Sequence, residues 1–112
     1  MKDNRRKISI MNQEKRDILM GLLEALQTRV LTADGAIGTL LYSYGLDYCH
    51  EEMNITKREV VQKIHEQYIS SFAYIIQTNT YGANAIKLAR YGYEGRVKEF
   101  NEAAVQLAKV AA

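Results

Sequence analysis

Residues 29–45 read RVLTADGAIGTLLYSYG, and residues 73–92 read AYIIQTNTYGANAIKLARYG. Each stretch opens with strand-forming residues and closes with helix-forming ones. In the first, Arg29, Val30, Leu31, Thr32 and Ala33 form a short β-favouring run. It stops at Asp34-Gly35, a turn dipeptide. Residues 36–44 (AIGTLLYSY) then begin a short helix, with Gly45 as its C-cap. In the second, residues 73–78 are almost continuously apolar, as a strand covered on both faces is. That run ends at Asn79-Thr80-Tyr81-Gly82, and helical sequence resumes near Ala83.

The flanking sequence is helical by period. Residues 57–72 carry Val60, Val61, Ile64, Tyr68, Ile69 and Phe72 on one face. Thr56 with Glu59 three residues on has capping-box spacing. Residues 46–54 (LDYCHEEMN) lack a period and read as a loop. Residues 12–28 place Ile18, Leu19, Leu22, Leu23 and Leu26 on one stripe, with Asn12 as cap and Gly21 between the apolar positions. Residues 96–112 place Val97, Phe100, Ala104, Leu107, Ala108 and Ala111 together, separated from the preceding helical piece by Gly92 and Gly95. No repeat of fixed period is present.

The order strand, helix, strand, helix predicts a parallel pair joined by a right-handed crossover, an α/β arrangement. Two strands are too few for such a sheet, since a doubly wound sheet has about five or six and a β/α barrel about eight. The chain is therefore expected to be the opening part of a longer protein, or to complete itself with another copy.

Composition removes other classes. The chain has 112 residues, 47% hydrophobic and 25% charged, which excludes disorder and low complexity. The net charge is +2, and the first seven residues alone carry +3, so the body is near neutral. A nucleic-acid surface is not indicated. No apolar run approaches the roughly 18 residues of a membrane span. The basic start at residues 1–11 runs into Asn12, Gln13, Glu14 and Lys15 before a signal-like core forms, so a flexible, cytoplasmic N-terminus is expected. One cysteine, Cys49, precludes an internal disulfide.

In parallel α/β architectures chemistry collects at the carboxyl ends of the strands. Asp34-Gly35 leaves the first expected strand and Thr78-Asn79-Thr80 the second. Neighbouring strands lie about 4.8 Å apart, so one small ligand can touch both clusters. Asp34 supplies a charge for an ammonium group, Gly35 permits close backbone approach, and Thr78, Asn79 and Thr80 offer hydrogen bonds. The set suits an amino-acid zwitterion better than a catalytic triad. A plain turn at Asp34-Gly35 and an Asx motif at Asn79 explain the same residues, and spacing alone does not separate the two readings.

Together the strings RVLTADGAIGTLLYSYG and IIQTNTYGANAIKLARYG resemble the start of the homocysteine S-methyltransferase family. Within it the likeness is nearest to the methyltransferase half of the bacterial bifunctional enzyme that also carries a methylenetetrahydrofolate reductase module. It runs from about Leu22 to the end of the chain. The resemblance implies the first two βα units of a (β/α)8 TIM barrel preceded by a helix, incomplete, with residues 12–112 as the N-terminal part of a homocysteine-binding domain. It implies transfer of a methyl group to the homocysteine thiolate to form methionine, with zinc on the sulfur. A folate is one of the family's methyl donors, and a reductase module would carry FAD. Asp34, Gly35, Thr78, Asn79 and Thr80 match the family's substrate pocket, while Gly38 and Thr39 match structural parts of the first motif. Ile37 stands where methionine is commoner, and Ala85 where a larger polar residue is usual. The family's zinc cysteines lie on later strands and have no match here, Cys49 included. The alternative is a truncated, non-catalytic chain or association module, with self-association through its unfinished edges.

Other candidates read as structure. The adjacent residues Cys49, His50, Glu51 and Glu52 are ligand-rich, but neighbours in sequence rarely converge on one metal. His65 reads as a helix-boundary side chain, Lys87 and Arg90 as a solvated face, and Tyr74 and Tyr81 as edge tyrosines. DGAIGT lacks the lysine and glycine spacing of a phosphate loop.

Overall fold

A computed structural model describes residues 21–46 and 48–112. The basic start, Asn12, and Ile18 and Leu19 of the first expected helix lie outside the described residues. The chain divides into two compact units, Met1–Thr32 and Ala33–Ala112. Among the described residues no helix is long and apolar enough to cross a membrane.

The described part of the first unit holds helix α1, Leu22–Thr28. Gly21 sits at its start rather than inside a longer run, with φ of 95°, a backbone that glycine tolerates and L side chains avoid. Leu22, Leu23 and Leu26 are exposed while Ala25 is buried, so the expected leucine stripe is not the covered face.

The second unit contains α2 (Gly38–Ser43), a 3-10 turn (His50–Glu52), α3 (Met53–Thr56), α4 (Arg58–Ser70), α5 (Ala85–Leu88) and α6 (Val97–Ala111). Further 3-10 turns follow α5 and precede α6. Helix α6 buries Phe100, Ala104, Leu107 and Ala108, the face its apolar spacing predicts. Leu107 joins Leu41, Met53, Val61 and Ile64 in one core cluster, so α2, α3, α4 and α6 share a centre. Phe100 joins Cys49, Ala83 and Leu88 in a second cluster. Burial of each large side chain here contributes about 1.5–3 kcal/mol.

Helix ends follow local chemistry. Gly45, with φ of 81°, closes α2: its N–H donates to the Tyr42 carbonyl at 2.8 Å, and the Leu46 N–H donates to Leu41 at 3.0 Å. This is the expected glycine cap. The expected capping box is not formed. Thr56 is the last residue of α3, and its hydroxyl donates backwards to the Glu52 carbonyl at 3.3 Å. The segment read as a loop contains the 3-10 turn and the start of α3. Phe72, placed by period on the apolar face of residues 57–72, is 82% exposed.

The expected βα units are not formed. Among the described residues, β pairing is limited to a single parallel bridge, Ala33 to Ile75, and the regular structure is helical. The reason is the environment of the two runs. A parallel strand is stable with neighbours on its edges and cover on both faces. Val30 is 90% exposed and Tyr74 41% exposed, so that cover is missing. Apolar β-branched sequence marks the capacity to form a strand, but the lateral partners decide whether one forms.

Candidate functional site

The single bridge is enough to bring the two motifs together. The Asp34 N–H donates to the Ile75 carbonyl at 2.8 Å, and Asp34 Oδ2 accepts the Gln77 N–H at 3.0 Å. Asp34 therefore clasps the second motif with its backbone and its side chain. Behind this clasp, the Tyr68 hydroxyl of α4 donates to the Ala36 carbonyl at 2.7 Å. A Cβ on Gly35 would lie 2.8 Å from that hydroxyl, so the tyrosine can approach only because residue 35 is glycine.

The second motif is pinned by an asparagine pair. Asn79 Nδ2 donates to the His50 carbonyl at 2.7 Å and to Asn54 Oδ1 at 3.1 Å. Asn54 Nδ2 donates back to the Asn79 carbonyl at 2.9 Å and to the Phe100 carbonyl at 3.4 Å. Both side chains are buried, and a buried amide without partners costs about 1–3 kcal/mol. The pair thus ties the 3-10 turn, α3, the second motif and α6 to one point. The Thr78 and Thr80 hydroxyls lie 2.8 Å apart. Glu51 Oε2 accepts the Gly82 N–H at 3.1 Å, and the Cys49 thiol lies 3.9 Å from Glu51 Oε1.

These bonds enclose a cleft of about 280 Å³. Gly35, Thr78, Asn79 and Thr80 line it, together with His50 and Glu51. Asp34 stands directly behind, bonded to the lining residue Gln77. The volume is at the small end for a ligand cleft and suits a small molecule. His50 and Glu51 are among the lining residues that the sequence did not point to, as are Ala36 and Gln77. The string CHEE suggests metal ligands by composition, and nothing in its spacing signals the bonds that its His50 carbonyl makes with Asn79 and its Glu51 carboxylate with Gly82. Tyr81 also lines the cleft, 89% exposed, and Lys87 Nζ lies 4.2 Å from the centre of its ring. That contact makes Lys87 a cation–π partner rather than a purely solvated charge.

Burial governs the Cys49 thiol and the His65 imidazole. Cys49 is 1% exposed; burial pushes its thiol pKa up, and the charges of Glu51 and Glu52 add to that. Among the described residues, no group of three or more His, Cys, Asp or Glu side chains converges to hold a metal ion. The described residues do not fit a zinc site. His65 is fully buried on α4, not at its boundary, and neither ring nitrogen has a hydrogen-bond partner. Burial lowers its pKa, with the Asp34 charge acting in the opposite direction.

The two strings that close into this small polar cleft fall within one family match: residues 31–112 match the homocysteine S-methyltransferase family, and the chain belongs to it. Its similarity reaches particular enzymes. The chain is 31% identical to the methionine synthase of Mycobacterium leprae over 111 residues, which is 92% of this chain and 9% of that protein. It is 32% identical to the methionine synthase of Mycobacterium tuberculosis over 96 residues, 79% of this chain and 8% of that protein. The chain thus spans about a tenth of the length of these relatives.

Proposed function

We propose that the cleft holds the amino-acid end of homocysteine, as one part of a domain that moves a methyl group onto the homocysteine sulfur and forms methionine. In that reaction the thiol gives up its proton, the sulfur attacks the methyl carbon, and the bond from donor to methyl breaks as the new S–C bond forms. The chain's own residues act at the other end of the substrate. Asp34 places a negative charge behind the cleft for the ammonium group while its Oδ2 stays on the Gln77 N–H. Gly35 keeps the backbone close, and Thr78 and Thr80 present hydroxyls. Asn79 holds the wall through its two donated bonds. The zinc chemistry and methyl donor of the family belong to residues beyond those described, and this chain alone is inactive.

The observation that carries this reading is the clasp of Asp34 on Ile75 and Gln77, which makes one cleft from two motifs far apart in sequence. Calorimetry of the reduced chain with L-homocysteine tests it, beside an assay for methionine with a methyl donor. Binding without turnover is expected. A chain that binds no homocysteine, or one that forms methionine unaided, refutes the reading.

A further inference from the structure

His65 is fully buried on α4, and neither ring nitrogen has a hydrogen-bond partner among the described residues. A neutral imidazole always carries one N–H donor and one bare acceptor nitrogen. A polar group left buried and unpaired is a rarity in folded proteins and asks for a reason. Leucine or phenylalanine would fill the same place without stranding a polar atom. What the imidazole has, and an apolar side chain lacks, is a place for a proton.

The surroundings offer that proton one partner. Helices α2, α3 and α6 meet Val61 and Ile64 of α4 with Leu41, Met53 and Leu107, all apolar. On α4 itself Arg58, Glu59, Lys63 and Glu66 are exposed. Among the described residues Asp34 is the one charged group whose field reaches the ring. Its carboxylate holds the Gln77 N–H at 3.0 Å. Three residues after His65, on the same side of α4, Tyr68 holds the Ala36 carbonyl at 2.7 Å. The two bonds that close the cleft from this side are thus tied to the buried ring, one through charge and one through the helix. Neither ring nitrogen is bonded to the carboxylate, so an imidazolium pairs with Asp34 only if one of them moves. If the carboxylate turns, the Gln77 bond is lost. If α4 shifts, the Tyr68 bond is lost. The Asn54–Asn79 pair and the cluster around Phe100 are built from other residues and hold the rest of the unit.

We infer that His65 is an acid-operated latch: a proton taken up by its buried ring opens the clasp between the two motifs, and with it the cleft, while the helical core stays folded. The latch regulates whatever the cleft holds. It rests on the clasp and not on the identity of the ligand, so it is tested without one.

Amide hydrogen exchange and histidine ring 13C resonances, followed by NMR on the 112-residue chain between pH 7 and pH 5, make the test. The His65 ring starts neutral because it is buried, and it should titrate below the ordinary value of about 6.5. Over the same midpoint the protection of the Gln77 amide should fall about tenfold, or about 1.4 kcal/mol. The Leu107 amide on α6 should keep its protection. His65→Phe should abolish the response at Gln77. Asp34→Asn keeps an oxygen for the Gln77 N–H but removes the charge, and should abolish it with the histidine in place. Loss of protection at Gln77 and Leu107 together is unfolding of the unit and overturns the latch. A Gln77 response that persists in His65→Phe belongs to Asp34 or to His50 in the cleft wall, and also overturns it. So does a His65 ring that stays neutral down to pH 5 in the unmodified chain, a reading that needs no variant.

Discussion

Replacing Phe72 with glycine should stabilise the protein, although a large apolar side chain is lost. Phe72 follows α4 and has φ of 73°, the left-handed region, where it is the one non-glycine residue among those described. Its N–H donates to the Ile69 carbonyl at 3.0 Å, and the Ala73 N–H donates to Tyr68 at 3.0 Å. This paired pattern closes a helix with a left-handed residue after the cap. The same pattern recurs at Gly45 and at Gly92, where Gly92 donates to Ala89 at 3.1 Å and Tyr93 to Leu88 at 3.0 Å. Two of the three positions carry the residue that suits the backbone, and the third carries phenylalanine. The left-handed conformation costs an L-residue about 1–2 kcal/mol. Glycine removes that cost but adds about 0.5–1 kcal/mol of unfolded-state entropy. Because the side chain is 82% exposed, little burial is forfeited. The net gain for Phe72→Gly lies within about 0–1.5 kcal/mol and centres near about 0.75 kcal/mol, which in a domain of this size raises the melting midpoint by about 3–6 °C. Thermal unfolding followed by circular dichroism reads it. Phe72→Ala is the control, because alanine retains the strained backbone and removes the same ring. If alanine stabilises as much as glycine, or if glycine lowers the midpoint, the backbone argument is wrong.

Two further perturbations probe the scaffold of the cleft. His65 is held neutral by burial, so its folded pKa lies below the unfolded value of about 6.5. Its share of stability is complete above that pH and is lost as the pH falls below it, with a limiting slope of about 1.4 kcal/mol per pH unit. His65→Phe should flatten urea-unfolding stability between pH 7 and pH 5 relative to the wild type, and an unchanged difference between the two proteins across that range would count against it. Asn54→Ala and Asn79→Ala should each cost about 1–3 kcal/mol by stranding buried partners. Because the Asn79 Nδ2 to Asn54 Oδ1 bond joins the two side chains, the double variant should cost at least about 0.5 kcal/mol less than the sum. Strict additivity in the cycle would show that the two amides act separately.

What the sequence revealed depended on whether the deciding contact was local. The buried face of α6 was legible because residues three and four apart on a helix share a side regardless of what they pack against. Gly45 was legible for a similar reason, since a cap is closed by bonds to residues three and five positions back. The motif residues Gly35, Thr78, Asn79 and Thr80 were legible as a group because each ends an apolar run, where polar side chains collect. His65 was readable in principle. It lies four residues after Val61 and three before Tyr68, on the face that carries Ile64, and position outweighed its polarity. Asn54 was not readable. Its partners are 25 and 46 residues away, and a lone asparagine in an aperiodic stretch gives no sign that it will be fully buried. The strands failed for the complementary reason: their stability belongs to neighbours that a strand's own sequence cannot name.

That failure leaves the question of why a cleft exists where a sheet does not. A sheet places its loops through a ladder of backbone bonds, each of which depends on the next. Among the described residues the ladder is one bridge long, and side chains take over its task. The Asp34 carboxylate captures the Gln77 N–H two residues beyond the bridge. The Tyr68 hydroxyl fixes Ala36 two residues past Asp34 on the other segment. Asn79 and Asn54 then anchor the far end to α6 through Phe100. Each of these bonds joins a side chain to a distant segment, so each is encoded by residue identity and not by the presence of a lateral strand. The polar motif residues therefore have two physical roles. They offer hydrogen-bonding groups to a ligand, and they build the wall from which those groups are offered. A variant that removes one of them changes both, which is why the discriminating experiments above read the clasp itself and compare side chains that preserve the structural bond.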